Sequence, residues 1–197
     1  MRESEDYIIN KIDNLDLGPI LRCEEKIGRP DPEDFKNIYS NEEIDRDLKH
    51  LKSIERKIEE TRSEESRESE RRGKSLEIVI ADQIYDGEWM GSEALVTLTS
   101  RYDDVVNGVD LIVEFEEGKV AFAVDASMNT DPSEIKKKIE RNIDKVLKKK
   151  SSVKYFQSQK DDYKGKIDGL IPVVVGLDRI NADSLFRTFA ELKKLEE

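Results

Sequence analysis

Two apolar runs separated by a polar turn stand out in the middle of the chain. Residues 109–115 and 120–126 are almost wholly apolar, and β-branched and aromatic side chains are prominent in them. Asn107-Gly108 precedes the first run and Glu116-Glu117-Gly118 separates the two, and such residues are typical of turns. The pattern predicts a β-hairpin. Runs that are apolar on both faces also indicate central strands covered by helices.

Apolar residues at helical spacing flank this hairpin on both sides. We predict a helix over residues 73–85, buried on a broad face, and a second over residues 132–149, which begins with the capping sequence Asp-Pro-Ser-Glu. Its apolar residues, together with those of a closing helix over residues 183–195, are expected to face inward. Short apolar runs at 94–98 and 170–177 predict two further strands.

The first third of the chain has a narrower apolar pattern. Residues 41–72 are predicted to form one long, largely exposed helix, whose stripe consists of Ile44, Leu48, Leu51 and Ile58. Such a stripe suits a helical hairpin or a coiled-coil partner, which makes this helix a candidate for self-association or for packing on a partner protein. Residues 7–15 predict a short amphipathic helix. We place a domain boundary near residue 70, between a helical N-terminal extension (1–70) and an α/β domain (71–197).

Composition narrows the classes of function. The chain has 197 residues, 40% of them charged, and a net charge of -11. One cysteine and one histidine exclude an intrachain disulfide and a multi-histidine metal site, and they argue against a Ser-His-Asp triad. The sequence has neither a long apolar run nor a signal-peptide pattern, so we expect no membrane association and a cytoplasmic location.

Charge is unevenly distributed along the chain. Residues 134–166 contain twelve Lys and Arg against five Asp and Glu, a net charge of +7 that leaves -18 for the remainder. A basic segment on an acidic chain is a candidate contact for nucleic-acid phosphates. The alternative is a solvated, lysine-rich helix face.

Each strand of the predicted hairpin carries one acid where an apolar residue is expected. Asp110 starts the first strand and Asp125 ends the second, so an antiparallel pairing brings them to the same end of the hairpin. Two carboxylates at the edge of an apolar sheet repel each other and lose hydration, and a divalent cation such as Mg²⁺ would offset both effects. The alternative is a pair of solvated acids at strand ends.

The element order from residue 73, together with the placement of these acids, resembles the PD-(D/E)XK nuclease superfamily. Gly73-x-x-x-Glu77 is similar to the G-x-x-x-E of resolvase-like members, Asp110 to the motif aspartate, and Asp125-Ala126-Ser127 to (D/E)-x-K. The resemblance covers roughly residues 72–195 and implies an α/β (α+β) fold with a restriction-endonuclease-like αβββαβα core. The block over residues 100–115 also resembles uncharacterised bacterial proteins, which implies no function by itself.

The resemblance implies metal-dependent hydrolysis of phosphodiesters, with Glu77, Asp110 and Asp125 holding Mg²⁺ or Mn²⁺. The sequence departs from the motif because Ser127 stands at the lysine position. We expect either that the Ser127 hydroxyl contributes or that a lysine of the next helix substitutes. On a helical wheel Lys136 falls inside the apolar face, while Lys137 and Lys138 point away, so Lys136 is the candidate. The alternative for Lys136 is an aliphatic stem on the sheet with its ammonium in water.

Three hypotheses for function follow. The chain is an active metal-dependent nuclease (endo- or exonuclease), a catalytically degenerate nuclease-like fold that binds nucleic acid or protein, or a module whose N-terminal helix serves oligomerisation. We predict that Glu77, Asp110 and Asp125 converge on one site that can hold a divalent cation. If Glu77 lies apart from the other two, only the pair of aspartates remains. Asp104 is an additional candidate ligand.

Overall fold

A computed structural model describes residues 18–115, 120–128, 131–148, 151–160 and 162–196. The helices are α1 (Gly18–Ile27), α2 (Asn41–Thr61), α3 (Glu64–Tyr85), α4 (Pro132–Leu147) and α5 (Arg179–Glu196), with a 3₁₀ turn at Pro32–Phe35 and a π-helical turn at Asp103–Asn107. The strands are β1 (Leu95–Leu98), β2 (Leu111–Phe115), β3 (Val120–Ser127), β4 (Ser152–Gln157), β5 (Lys164–Asp168) and β6 (Ile171–Gly176). The predicted helix at residues 7–15 and the turn at 116–118 lie outside the described residues.

The predicted hairpin and mixed sheet are confirmed. Strands β1, β2 and β3 form an antiparallel meander, and β6 pairs with β3 in parallel, so the sheet order is β1-β2-β3-β6. Parallel pairing requires a long crossover. Here the crossover contains α4 and the separate β4–β5 hairpin. The protein is therefore a mixed α/β protein of α+β type.

Side chains alternate between the two faces of the sheet, and each face is covered. Leu111 and Val113 of β2 face α3 and α5 and share one core with Phe186 of α5. Ile112, between them, faces the other way and packs with Phe156 of the β4–β5 hairpin. The sheet is thus the middle layer of the domain, as its apolar strands predict.

The prediction of one helix over residues 41–72 is wrong. The chain leaves the helix at Arg62, and Ser63 caps a new helix by accepting the backbone N–H of Ser66 at 3.1 Å. Serine is favoured at this position because its hydroxyl satisfies an N–H that has no partner in the first turn. The second helix, α3, then continues without a break to Tyr85, so the boundary placed near residue 70 falls inside one helix.

The apolar stripe of α2 is partly buried within the chain instead of being exposed. Ile44 and Leu51 are buried, and Ile44 belongs to a cluster with Phe35 and Tyr155, whereas Ile58 is 45% exposed. Tyr155 stands at the centre of this cluster and makes edge-to-face contacts with Phe35 and with Tyr102. The first residues of the stripe therefore attach α2 to β4, a strand that sequence reasoning left unassigned.

The inward faces predicted for α4 and α5 are only partly correct. In α5, Phe186 and Phe189 are buried, but three leucines predicted to face inward are exposed: Leu185, Leu192 and Leu195. In α4 the one buried residue is Asn142, and most of the predicted apolar face is exposed. None of the helices described here is both long and apolar enough to cross a lipid bilayer.

Candidate acidic site

Asp110 and Asp125 lie side by side at one end of the β2–β3 hairpin, as predicted. Leu111 pairs with Val124, and just before this pair the Asp110 backbone N–H donates to the Val124 carbonyl oxygen at 2.9 Å. The Asp110 carboxylate accepts the backbone N–H of Ala126 at 2.6 Å. Both acids are buried, with 8% and 7% of their surface exposed. The Asp110 side chain is therefore fixed across the hairpin.

Two further carboxylates approach this pair. Burial raises the pKa of Asp110 to about 8, and the charges of Glu77, Asp104 and Asp125 add to that increase. Burial also raises the pKa of Glu77 to about 7, with a further increase from Asp104. The charges of carboxylates on α3, the π-helical turn and the hairpin therefore act on one another, which makes these four acids one electrostatic group. We call Glu77, Asp104, Asp110 and Asp125 the acidic cluster.

An arginine from the loop after α1 neutralises one side of the acidic cluster. The guanidinium of Arg29 lies 3.5 Å from Glu77 and 3.7 Å from Asp104, and it donates to the Thr99 carbonyl oxygen at 2.7 Å. Its Nε also lies 3.3 Å from Glu24. Its side chain is 16% exposed. Sequence reasoning missed Arg29, because nothing in its local pattern shows that the chain returns to residue 77.

Helix α4 places cations on the other side of the cluster. Lys138 Nζ lies 2.7 Å from Asp125 Oδ1, and Arg141 Nη2 lies 3.4 Å from Asp125 Oδ2. One turn further on, Lys145 donates to the carbonyl oxygen of Asn107. Burial and the neighbouring Arg141 lower the pKa of Lys145, while Asp125 and Asp110 oppose that decrease. The i, i+3, i+7 spacing puts these three cations on one side of the helix.

The predicted orientation of Lys136 and Lys138 is wrong. The Lys136 side chain is 76% exposed, and its nearest acid is Glu140 of its own helix, at 3.8 Å. Lys138, which was expected to point away from the sheet, contacts Asp125 instead. The wheel assumed that the apolar face of α4 lies on the sheet, whereas Asn142 is the buried residue. Lys138, and not Lys136, is therefore the lysine of this helix that contacts Asp125.

Ser127 lies at the end of β3, two residues after Asp125. It is 5% exposed and stands opposite Gly176 of β6. Its carbonyl oxygen accepts the backbone N–H of Leu177 at 2.9 Å. Side chains alternate along a strand, so Ser127 is on the same face of the sheet as Asp125.

Gly73 occupies the interior of α3, four residues before Glu77. A methyl group built on its α-carbon meets nothing within 4 Å, so no neighbouring group approaches this glycine closely. Steric crowding therefore does not require glycine at the first position of the G-x-x-x-E motif.

The donor chemistry of the acidic cluster suits a hard divalent cation. Across the described ranges, however, no three His, Cys, Asp or Glu side chains stand close enough together to hold a metal ion. Mg²⁺ keeps several waters and commonly uses only one or two protein carboxylates. Glu77 interacts with the other acids of the cluster through its charge, but its direct ion pair is with Arg29, whose guanidinium lies 3.5 Å away.

A second buried aspartate, Asp103, sits next to the cluster without belonging to it. Its carboxylate accepts hydrogen bonds from the Ser100 hydroxyl at 2.7 Å, the Asn107 amide at 2.6 Å and the backbone N–H groups of Lys154 and Tyr155 at 2.8 and 3.0 Å. With four donors on one carboxylate, Asp103 joins the π-helical turn to β4.

Comparison with models of protein families, with curated proteins and with solved structures found no match in any of the three.

Proposed function

We propose that this protein is a divalent-cation-dependent phosphodiesterase of PD-(D/E)XK type that acts on nucleic acid. The order α3, β1, β2, β3, α4, β6, α5 supports the proposal, since it follows the αβββαβα arrangement with the β4–β5 hairpin inserted between α4 and β6. The positions of Glu77 on α3, Asp110 before β2 and Asp125 on β3 also follow the pattern of the motif.

One observation carries the proposal: the Asp125 carboxylate lies between buried Asp110 on one side and Lys138 and Arg141 on the other. Asp110 and Asp125 would hold the cation. When bound, a divalent cation lowers the pKa of a water and neutralises charge on the scissile phosphate. An adjacent ammonium and guanidinium suit the same substrate, because a phosphodiester carries its negative charge on two exposed oxygens.

The chain's own residues then have separate roles. Lys138 stands where its ammonium can contact a phosphate oxygen next to Asp125. Lys138 would thereby supply the positive charge that Ser127, at the lysine position of the motif, cannot supply. Arg141 offers a second contact to the same phosphate, and Lys145 extends the positive side of α4 by one more turn. Because Lys138 and Arg141 pair with Asp125 in this structure, they would exchange the carboxylate for the phosphate when substrate and cation arrive together.

The basic segment over residues 134–166 supports nucleic acid as the substrate class. It contains Lys138, Arg141 and Lys145, which all point toward the acidic cluster, in a chain whose remainder carries a charge of -18. Positive charge gathered beside one site of an acidic protein directs a polyanion to that site.

The test uses the full chain with Mg²⁺ or Mn²⁺ and fluorescently labelled single- and double-stranded DNA and RNA. We expect cleavage that requires the cation, loss of cleavage in Asp110→Asn, and a reduction of at least about a hundredfold in Lys138→Ala, the usual size for removal of a charged transition-state contact. Lys136→Ala is the matched control, because this lysine is exposed on the same helix, and it should retain activity.

A specific observation also favours a second candidate, a nuclease-like module that binds nucleic acid without cleaving it. Both oxygens of Asp125 already have cationic partners, and Glu77 is paired with Arg29, so the acids are neutralised without a metal. This alternative predicts that labelled oligonucleotides bind in the presence of EDTA and are never cleaved. Absence of both binding and cleavage would contradict the two candidates together.

A further inference from the structure

The apolar side of α4 is exposed although it was expected to face the sheet. Ile139 is 45% exposed, Ile143 53%, Val146 47% and Leu147 77%. Four large apolar side chains on about two and a half turns of one helix form a continuous stripe, and contiguous apolar surface of this kind marks interaction sites. The structure shows why the stripe is uncovered. The helix contacts the sheet through Asn142 and Ile135, so its apolar side points past the edge of the sheet and not onto its face.

The stripe continues onto the last strand of the sheet. An apolar cavity of about 340 Å³ lies between α4 and β6 and is lined by Ile139, Ile143 and Val146 together with Pro172 and Val174. Strand β6 is an edge of the sheet as far as the structure describes the chain, and its Ile171 is 49% exposed. The groove and the stripe therefore form one surface at this edge of the domain.

We propose that this surface is the interface of a two-fold symmetric dimer, in which α4 packs antiparallel against α4 of a second copy. A two-fold interface must be complementary to itself. When two α4 helices run antiparallel and cross between Ile139 and Ile143, Ile139 of each copy faces Ile143 of the other. The two central isoleucines of the stripe are therefore complementary to those of a second copy.

The charges beside the stripe favour the same arrangement. Lys136 flanks its first half and Asp144 flanks its second half. Within the described part of the chain, Lys136 pairs with Glu140 and Asp144 pairs with Lys148, both exposed groups on α4 itself. An antiparallel pair brings Lys136 of one copy toward Asp144 of the other, whereas a parallel pair brings lysine to lysine and aspartate to aspartate. Charge complementarity thus points to a second copy of this chain and fixes its direction.

Helix packing fits this edge better than extension of the sheet. Pro172 in β6 has no backbone N–H, and proline on an edge strand opposes the addition of another strand. The basic side of α4, with Lys138 and Arg141, faces Asp125 and not the stripe, so the acidic site stays outside the interface. The proposal is accordingly independent of the function proposed above.

The first test measures the mass of the full chain by sedimentation equilibrium across micromolar concentrations. We expect a reversible dimer, and we expect Ile143→Asp to shift it to monomer by raising the dissociation constant at least about a hundredfold, as burial of a charge in an apolar contact requires. Ile58→Asp is the matched control, since Ile58 on α2 has similar exposure (45%), and it should leave the dimer unchanged. Circular dichroism of each variant checks that the helices remain formed.

The second test reverses the charges. Lys136→Glu and Asp144→Lys should each raise the dissociation constant about fivefold or more, the range of exposed ion pairs, and the double variant should restore the dimer. A monomeric wild-type chain, a dimer insensitive to Ile143→Asp, or a double variant no tighter than either single variant would overturn the proposal. Coverage of the stripe by another part of the same chain would appear as the first of these results.

Discussion

The Asp103 carboxylate accepts the backbone N–H of Tyr155 at 3.0 Å, although β2, β3 and α4 separate the two residues in the chain. Asp103 is fully buried and Tyr155 is buried at the centre of the aromatic cluster on β4. Replacing Asp103 by alanine would leave two backbone N–H groups and two side-chain donors without a buried acceptor. We expect the free energy of unfolding to fall by about 3 kcal/mol or more.

Urea denaturation measures this loss, and Asp45→Ala on the exposed side of α2 is the control for removing a surface carboxylate. Asp103→Asn should lose less stability than Asp103→Ala, because the amide oxygen still accepts hydrogen bonds. The recovery should be partial, because the amide NH₂ group would face donors that the second carboxylate oxygen now accepts. Equal stability of Asp103→Ala and Asp45→Ala would show that the four hydrogen bonds contribute little.

The raised pKa values of Glu77 and Asp110 predict that acidification stabilises the protein. In the unfolded chain these carboxyls titrate near pH 4, whereas their folded pKa values are about 7 and about 8. Between those limits the folded state binds more protons than the unfolded state, so the free energy of unfolding falls as pH rises from about 4 to about 8. Each group lowers the free energy of unfolding by up to about 1.4 kcal/mol for every pH unit within this range.

Asp110→Asn removes one of these groups without changing its shape. Urea denaturation at several pH values should then show that the free energy of unfolding falls less steeply with pH in the variant than in the wild type. The variant should exceed the wild type in stability by the largest amount near pH 8. A wild-type stability that rises across the same window would contradict the raised pKa values.

Loss of Arg29 should destabilise the protein, more strongly at high pH. The Arg29 charge lowers the pKa of Glu77, so Arg29→Gln would raise that pKa further and leave Glu77 and Asp104 with less compensation. At pH 8 we expect a loss of about 2 kcal/mol, the scale for breaking a partly buried ion pair, and a smaller loss at pH 5, where Glu77 is protonated.

Thermal melts at the two pH values measure the difference, and Arg46→Gln on the exposed face of α2 is the control. An equal loss at pH 5 and pH 8 would mean that Arg29 acts by packing and not by its charge.

Gly73→Ala is expected to stabilise the protein by about 0.5–1 kcal/mol, because glycine inside a helix loses more backbone entropy on folding than alanine. The position has room for the added methyl group. Urea denaturation tests this expectation. A destabilised variant would show that Gly73 has a role that the open space around it does not reveal.

Local patterns were sufficient for the centre of the fold. The hairpin follows from two apolar runs around a turn, and the pairing of Leu111 with Val124 then brings Asp110 and Asp125 to the same end of it. Helix α4 begins with Asp131 accepting the N–H of Ser133, as its capping sequence predicts. In each case the deciding residues lie close together in the chain.

The sequence-based predictions failed where the surroundings of a side chain depend on elements that are distant in the chain. Lys136 was chosen because a wheel shows which residues share a side of a helix, but not which side meets the sheet. Arg29 reaches Glu77 only through the packing of α1 on α3, and Asp103 acquires its role from β4. Charged side chains carry no periodicity that reveals such partners, so the acids were predictable and their counterions were not.

The parallel pairing of β3 with β6 has a consequence for synthesis of the chain. Phe122 and Val124 pair with Ile171 and Val173, which leave the ribosome only after α4 and the β4–β5 hairpin. Until then one edge of β3, the strand that carries Asp125, has no strand beside it, and such open edges promote aggregation of nascent chains. Completion of the sheet through so distant a contact is slow, so we expect this step to limit the rate at which newly made protein becomes native.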